Sequence, residues 1–81
     1  MWYVYILRCG DGTLYTGITT DVVHRLECHR KGQGAKYTRG RNPLEVVYVE
    51  EQNDKGAALH REWAIKKLTR AQKEQLIALG Q

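Results

Sequence analysis

Apolar and aromatic residues occupy nearly every position from residue 2 to residue 8. A strand without polar alternation has both faces covered, so this segment predicts the central strand of a small sheet. The turn sequence Gly10-Asp11-Gly12 follows, and a second stretch with strand composition begins after it. The pattern therefore predicts a β-hairpin at the start of the chain.

The length of the hairpin loop decides which tyrosines share a face of the sheet. A three-residue loop with Gly12 in the left-handed region would pair Tyr5 with Gly17. It would also pair Leu7 with Tyr15, so that Tyr5 and Tyr15 become diagonal neighbours on one face. A two-residue turn would shift the register by one and send Tyr15 to the opposite face. A site shared by the two tyrosines requires the odd-length loop.

A first helix is expected after the hairpin. Thr20 or Asp21 can cap it, and Gly32 stops it after about Lys31. The apolar residues expected to form its buried stripe are Val22, Val23 and Leu26. The glycine-rich, basic segment 32–43 then predicts an ordered loop with one helical turn around residues 35–38.

The second half of the chain predicts one strand and two helices. Residues 44–51 are β-branched and aromatic and indicate a third strand. Asp54 is expected to cap a helix through Leu68, and the capping-box sequence 69–72 begins a last helix that Gly80 closes. The predicted fold is an α/β domain (an α+β sandwich) that spans residues 1–81. It has a three-stranded, mostly antiparallel sheet with the first strand central and helices packed around it.

The size and composition favour a small cytoplasmic domain. Its 81 residues leave no room for a second core. Cys9 and Cys28 lack zinc-ligand spacing and are expected to be reduced thiols; a disulfide between them is the less favoured reading. Met1 leads directly into the first strand, without a basic leader or a run long enough to span a bilayer, so no membrane association is expected.

Positive charge is concentrated in one segment. The net charge is +4, but residues 25–41 carry six basic residues against a single acidic one, Glu27. The six are Arg25, Arg30, Lys31, Lys36, Arg39 and Arg41. Such an excess is typical of a surface that contacts a phosphate backbone, and a solvated basic loop is the alternative.

Two helical positions carry side chains suited to phosphate chemistry. Arg25 and His29 are four residues apart, so they share a helix face. A guanidinium can bind a phosphate in bidentate fashion and neutralise charge that develops on it. Position alone favours a surface or ion-pairing role for Arg25, and His29 can instead have a capping or packing role. For His29, proton relay to a tyrosine and phosphate contact both remain open.

A single carboxylate, Glu62, lies at the edge of the apolar stripe of the second predicted helix. It can form an ordinary i, i+4 pair with Lys66. Alternatively it can bind magnesium, which keeps several waters and takes further ligands from a substrate phosphate. Spacing alone favours the ion pair.

The tyrosine triplets Tyr3-Val4-Tyr5 and Tyr15-Thr16-Gly17, followed by Arg25, His29 and Glu62, resemble the GIY-YIG nuclease superfamily. The length and the rest of the sequence resemble its small stand-alone members of the UPF0213-like group. The triplets differ from Gly-Ile-Tyr and Tyr-Ile-Gly, but the tyrosines and the glycine are kept.

This resemblance implies a metal-dependent endonuclease that hydrolyses phosphodiester bonds. Its site would be Tyr5, Tyr15, Arg25, His29 and Glu62. Tyr15 would activate a water while Tyr5 and His29 support its deprotonation, and Arg25 would neutralise the phosphate. Glu62 would bind Mg²⁺ or Mn²⁺, with Arg25 and the metal favouring a phenolate. Tyr15 as a covalent nucleophile is the less favoured variant.

The expected substrate is nucleic acid, with DNA favoured over RNA. The residues expected to contact it are Gly17, Lys36, Tyr37, Thr38, Arg39 and Arg41. Gly17 would leave space for the substrate backbone, and Tyr37 would stack on an unpaired base or else anchor the loop to the core. A second copy of the chain or a protein partner could provide targeting. The alternative function is a nucleic-acid-binding module with little or no catalysis.

Overall fold

The hairpin has the odd-length loop that the paired tyrosines require. The computed structural model describes residues 1–80, in which β1 (Trp2–Arg8) pairs antiparallel with β2 (Leu14–Thr19). The backbone N–H of Cys9 donates to the carbonyl of Thr13 at 2.8 Å and closes the loop. Gly12 has a φ of 86°, a left-handed conformation that glycine adopts without steric cost. The predicted loop and register are confirmed.

The first strand is central, as its continuous apolar sequence predicts. A third strand, β3 (Glu45–Gln52), pairs antiparallel with the other edge of β1, which gives the strand order β2-β1-β3. The predicted span of 44–51 is off by one residue at each end. The α+β class and the antiparallel three-stranded sheet are confirmed.

Three helices surround the sheet: α1 (Val22–Arg30), α2 (Lys55–Lys66) and α3 (Arg70–Leu79). A single 3-10 turn (Lys36–Thr38) interrupts the basic loop where one helical turn is predicted. The side chains that cap the three helices are Asp21, Asp54 and Thr69; the last two are as predicted, and Asp21 is one of the two residues predicted for α1. Helix α2 is two residues shorter than predicted. None of the helices in residues 1–80 combines the length and apolar character needed to cross a membrane.

Alternate residues of β1 enter two separate cores. Val4 and Ile6 pack with residues of α2 and α3, including Ala58, Ile65 and Ile77. On the other face, the buried residues are Tyr5, Leu7, Cys9 and Leu44, and Tyr15, Leu26 and Val46 pack against them. The cysteines are both free thiols, as expected. The second of these cores carries the candidate site.

The predicted buried stripe of α1 is wrong at one position. Val23 is 74% exposed, whereas His29 is completely buried. At 100° per residue, Val22, Leu26 and His29 recur on one face, and Val23 lies about a quarter turn away from it. The buried face of α1 therefore runs through a histidine, which requires hydrogen-bond partners inside the protein.

Candidate active site

A hydrogen-bonded group centred on His29 joins β1, α1 and the basic loop. The Nε2 atom of His29 lies 2.8 Å from the phenol oxygen of Tyr5. On the other side of the ring, Nδ1 lies 2.9 Å from Oγ1 of Thr38 and accepts the backbone N–H of Ala35 at 3.3 Å. Both imidazole nitrogens therefore have partners, which allows the ring to be fully buried.

Tyr15 completes an aromatic cluster on the same face of the sheet. Its ring centroid lies 6.4 Å from that of Tyr5, the diagonal contact that the hairpin register predicts. It meets the His29 ring edge-on at 5.3 Å and stacks with Tyr37 at 5.7 Å. The strand tyrosines, the helix histidine and the loop tyrosine thus form one continuous cluster of rings.

Two glycines make room for these rings. A Cβ atom at Gly17 would lie 2.6 Å from the phenol oxygen of Tyr5. At Gly34 a Cβ would collide with the imidazole of His29. The expectation that Gly17 leaves space for a substrate backbone is therefore wrong, because Tyr5 fills that space. The sequence of a strand does not show whether a glycine leaves room for a substrate or for a neighbouring side chain such as Tyr5.

Burial favours the neutral forms of Tyr5 and His29. Desolvation raises the pKa of Tyr5 to about 12, and hydrogen bonding to the Arg25 guanidinium opposes this only in part. Burial, and secondarily the charge of Arg25, lowers the pKa of His29 below its ordinary value of 6.5. The charge of Arg25 alone therefore does not produce a phenolate at Tyr5. At pH 7 the site presents a neutral phenol and a neutral imidazole.

Arg25 and Glu62 lie near this neutral pair. Arg25 is half-buried and within hydrogen-bonding reach of the phenol of Tyr5, and the charge of Glu62 also acts on that phenol. The structure thus brings Tyr5, Tyr15, Arg25, His29 and Glu62 into one region, although they come from two strands and two helices.

Glu62 is the residue of this region that can hold a metal ion. Its side chain is only 18% exposed, and its Oε2 lies 3.3 Å from Nζ of Lys66, the pair that helical spacing predicts. Within residues 1–80, no three His, Cys, Asp or Glu side chains come together as a metal site. A single carboxylate fits Mg²⁺, which keeps several waters and takes oxygen ligands from a phosphate. The donor set therefore suits a hard cation bound together with substrate.

Some of the residues predicted to contact nucleic acid are exposed, and others already interact with neighbouring residues of the protein. Lys36 and Arg39 are exposed, and Tyr37 is 44% exposed. Arg41 is paired with the carboxylate of Asp11, and its guanidinium lies 4.5 Å from the centroid of the Tyr37 ring. Tyr37 therefore both anchors the loop and keeps part of its ring accessible. Arg41 holds the loop against the hairpin turn.

Thr38 is not a surface contact. It is completely buried, and its hydroxyl contacts both Nδ1 of His29 and the carbonyl of Ala35. The expectation that Thr38 binds nucleic acid is wrong because no part of it reaches solvent. The sequence pattern does not predict that Thr38, Ala35 and Gly34 contact His29, because no periodicity relates the loop to α1. The only local signal is a short polar residue in a helical turn.

The chain matches the GIY-YIG catalytic domain over residues 1–75. This match defines the class of the protein, and it confirms the resemblance carried by the two tyrosine triplets. A domain of this class suggests a nuclease with a nucleic-acid substrate, and such nucleases typically use a divalent metal ion.

More closely related proteins narrow the class to one family. A UPF0213 protein of Natronomonas pharaonis is 57% identical over 76 residues, which cover 94% of this chain and 89% of the relative. A UPF0213 protein of Oceanobacillus iheyensis is 55% identical over 75 residues, covering 93% of this chain and 87% of the relative.

The solution NMR structure of a UPF0213 protein from Bacillus halodurans is 50% identical and has a TM-score of 0.63. The match covers 98% of this chain and 85% of the other. The chain belongs to the UPF0213 family of GIY-YIG domain proteins.

Proposed function

We propose that this protein is a metal-dependent endonuclease that hydrolyses phosphodiester bonds in DNA. The main support is the 2.8 Å contact between Tyr5 and His29, with Tyr15 packed against both rings. Arg25 adds a positive charge beside the phenols. A cationic donor next to neutral proton carriers is the arrangement that attack of water on a phosphodiester needs.

Each side chain has a distinct role in this proposal. Tyr15 would act as a phenolate that takes a proton from the attacking water; its own proton would be lost to solvent beforehand, and the hydrogen-bonded pair Tyr5 and His29 would support that deprotonation. Arg25 binds the phosphate and neutralises the charge that grows on its oxygens during in-line attack. Cleavage would leave a 5′-phosphate. Attack by Tyr15 itself is the less favoured variant.

Glu62 would hold Mg²⁺ or Mn²⁺ in this mechanism. A bound ion would supply Lewis-acid stabilisation of the departing 3′-oxygen. Because Glu62 is paired with Lys66, metal binding requires the carboxylate to exchange an ammonium partner for a cation of higher charge. The proposal therefore predicts that activity depends strongly on the divalent-ion concentration.

The basic loop would hold the nucleic acid. Lys36 and Arg39 are exposed and can contact phosphates, while the accessible part of Tyr37 can stack on an unpaired base. These contacts lie next to the site because Tyr37 stacks directly on Tyr15. Arg41 contributes indirectly, through the position of the loop.

The alternative is a nucleic-acid-binding module that turns over slowly or not at all. The observation that favours it is the Glu62–Lys66 pair, which accounts for the carboxylate without a metal ion. The exposed loop would then bind phosphate or bases while the buried cluster served only stability. This alternative predicts binding that does not depend on Glu62.

The Glu62→Gln variant separates the two functions. We expect it to lose cleavage by on the order of 100-fold or more while it retains binding, because only the metal ligand is removed. The measurement uses labelled duplex, single-stranded and branched DNA and RNA, with Mg²⁺, with Mn²⁺ and with chelator. Glu51→Gln, at an exposed position of β3, is the matched control and should cleave like the parent.

Cleavage by the parent and by Glu51→Gln alone, only with divalent metal, would support the nuclease and identify its substrate class. Equal inactivity of all three proteins on every substrate, with salt-sensitive binding intact, would favour the binding module. Equal cleavage by parent and Glu62→Gln would remove Glu62 from the mechanism.

A further inference from the structure

The position of the proton on His29 follows from the groups around Nδ1. The N–H of Ala35 points at Nδ1 from 3.3 Å, and its direction is set by the backbone of the loop. A hydrogen on Nδ1 would face this backbone hydrogen directly. Nδ1 must therefore offer a lone pair, and the single proton of the neutral ring belongs on Nε2.

The hydroxyl of Thr38 supports the same assignment. It lies 2.9 Å from Nδ1 and 2.9 Å from the carbonyl oxygen of Ala35, and it has one hydrogen for these two acceptors. The carbonyl of Ala35 already accepts the backbone N–H of Thr38 at 3.1 Å. Donation from the hydroxyl to Nδ1 shares the lone pair of that atom with the Ala35 N–H and leaves the carbonyl with the Thr38 N–H, whereas the other tautomer leaves the Ala35 N–H without an acceptor at this site.

The packing excludes a reversed ring. Turning the imidazole by half a revolution would put carbon atoms against Tyr5 and Thr38, where the structure has contacts of 2.8 Å and 2.9 Å to nitrogen. Gly34 lies so close to the ring that no side chain fits between them. The ring orientation and the tautomer are thus set by one segment of the loop.

We infer that Thr38, together with the backbone N–H of Ala35, holds His29 in the tautomer protonated at Nε2, so that His29 donates its hydrogen bond to the phenol oxygen of Tyr5. Thr38 is a positioning residue that acts through His29. The hydroxyl hydrogen of Tyr5 must then point away from both His29 and Arg25, because the Arg25 guanidinium also donates to the phenol oxygen. The importance of this for catalysis rests on the proposed nuclease function.

The direction of the bond changes what His29 can do. With Nε2 protonated, neutral His29 cannot take a proton from Tyr5 through their shared contact. It instead stabilises negative charge on the phenol oxygen, as Arg25 also does. Tyr5 in turn is free to donate to an oxygen that becomes anionic, such as that of Tyr15 or of the phosphate. His29 supports deprotonation as a donor rather than as a base.

The tautomer can be read directly from side-chain ¹⁵N chemical shifts. The long-range ¹H–¹⁵N spectrum of the labelled protein, recorded above pH 6.5, distinguishes a protonated from an unprotonated ring nitrogen. His24 and His60 are exposed, and their Gln variants assign the remaining signals to His29. Thr38→Val removes the hydroxyl at nearly constant volume, and Thr38→Ser keeps it.

The parent and Thr38→Ser should show Nε2 protonated and Nδ1 unprotonated, and the Nδ1 signal of Thr38→Val should shift toward that of a nitrogen with a free lone pair, because one of its two donors is removed. A protonated Nδ1 in the parent would overturn the inference, as would an Nδ1 shift that is identical in parent and Thr38→Val. Should Thr38→Val fail to fold, the parent and Thr38→Ser spectra still test the assignment.

Cleavage kinetics test the role of Thr38 in the reaction. Thr38→Val should lower kcat by about tenfold with KM nearly unchanged, the factor that one hydrogen bond between neutral groups is worth. Thr38→Ser should restore kcat. Parent-like kcat in Thr38→Val would overturn the positioning role. The spectra need no substrate, so they decide the tautomer of His29 even if the protein proves not to be a nuclease.

Discussion

The aromatic cluster depends on residues that contribute no side chain to it. The phenol of Tyr5 lies directly over Gly17, and the imidazole of His29 lies against Gly34. Either ring would have to move if its glycine gained a single methyl group. A displacement of Tyr5 would also break its hydrogen bond with His29, so the two glycines control the geometry of the whole group.

Gly17→Ala is expected to lower the free energy of unfolding by about 1–3 kcal/mol, the usual cost of inserting a methyl group into a packed core. Cleavage should fall as well, because the Cβ would stand 2.6 Å from the phenol oxygen of Tyr5. Urea unfolding and the cleavage assay measure the two effects.

The control is Gly56→Ala in the first turn of α2, where the nearest atom to a Cβ is Oδ1 of Asp54 at 3.4 Å. Its stability should be unchanged or higher by up to about 1 kcal/mol, because alanine is favoured over glycine in a helix. If Gly17→Ala matched Gly56→Ala in stability and in cleavage, Tyr5 would not be confined as the structure indicates.

The sequence predicts those features of the site that depend on residues close together in the chain, and not those that depend on distant residues. Tyr5 and Tyr15 were correctly placed together because strand period and loop length are local properties. The burial of Thr38 could not be predicted, because it depends on a histidine nine residues earlier on another element. The neutral state of Tyr5 likewise depends on how completely the fold removes it from water.

At the scale of elements, an ion pair connects the first strand with the last helix. The guanidinium of Arg8 donates to both carboxylate oxygens of Glu74, with both distances 2.9 Å. Arg70, one turn earlier on α3, donates to the same carboxylate at 3.0 Å. Hydrogen bonds from Arg8, and then from Arg70, lower the pKa of Glu74 to about 2. The charged form of Glu74 is therefore favoured in the folded protein.

Glu74→Gln is expected to change how stability depends on acid. A carboxyl group whose folded pKa is depressed contributes stability above its ordinary pKa of 4.5, and this contribution is lost as the pH falls toward 2. The parent should therefore be more stable than Glu74→Gln at pH 7, and the difference should shrink between pH 4.5 and pH 2.

Urea unfolding across this pH range measures the difference between the two proteins, and Glu51→Gln is a control for removal of an exposed carboxylate. A constant difference between the parent and Glu74→Gln at every pH would contradict the assigned pKa. A pH-dependent difference of the same size in Glu51→Gln would show that net charge, and not the pair, is responsible.

The boundaries of the elements were easier to predict than the faces they bury. Asp54 and Thr69 were identified as caps because a short polar side chain that bonds to the backbone two or three residues later is a local signal. The exposure of Val23 could not be decided locally, because the sequence of α1 has apolar residues on more than one face. Hydrogen bonds to His29, formed by other elements, select the buried face.

At the scale of the whole molecule, the basic segment is less available than its formal charge indicates. Arg30 is paired with Glu27, and Arg41 is paired with Asp11. Within the described part of the chain, Lys36 and Arg39 have no carboxylate partner. The sequence locates the excess charge correctly, but it cannot identify the Arg41 pair, because Asp11 lies thirty residues away in the hairpin turn.

The double variant Lys36→Ala/Arg39→Ala tests whether the remaining loop charges contact phosphates. Each phosphate contact releases a counterion and contributes about −0.9 to the slope of log K against log salt concentration on duplex DNA. Removal of both residues should therefore weaken binding and make the slope less negative by roughly 1.8. Titrations of fluorescent duplex at several salt concentrations measure it.

A matched double variant, Lys55→Ala/Lys67→Ala, removes the same total charge from positions on and beside α2. It should leave the slope close to that of the parent, because Debye screening limits the effect of charges that do not touch the DNA. Equal changes in the two double variants would mean that DNA responds to the net charge of +4 alone. A change confined to Lys36→Ala/Arg39→Ala would instead locate the phosphate contacts on the loop that also supplies Thr38 to His29, joining substrate binding and the geometry of the site in one segment.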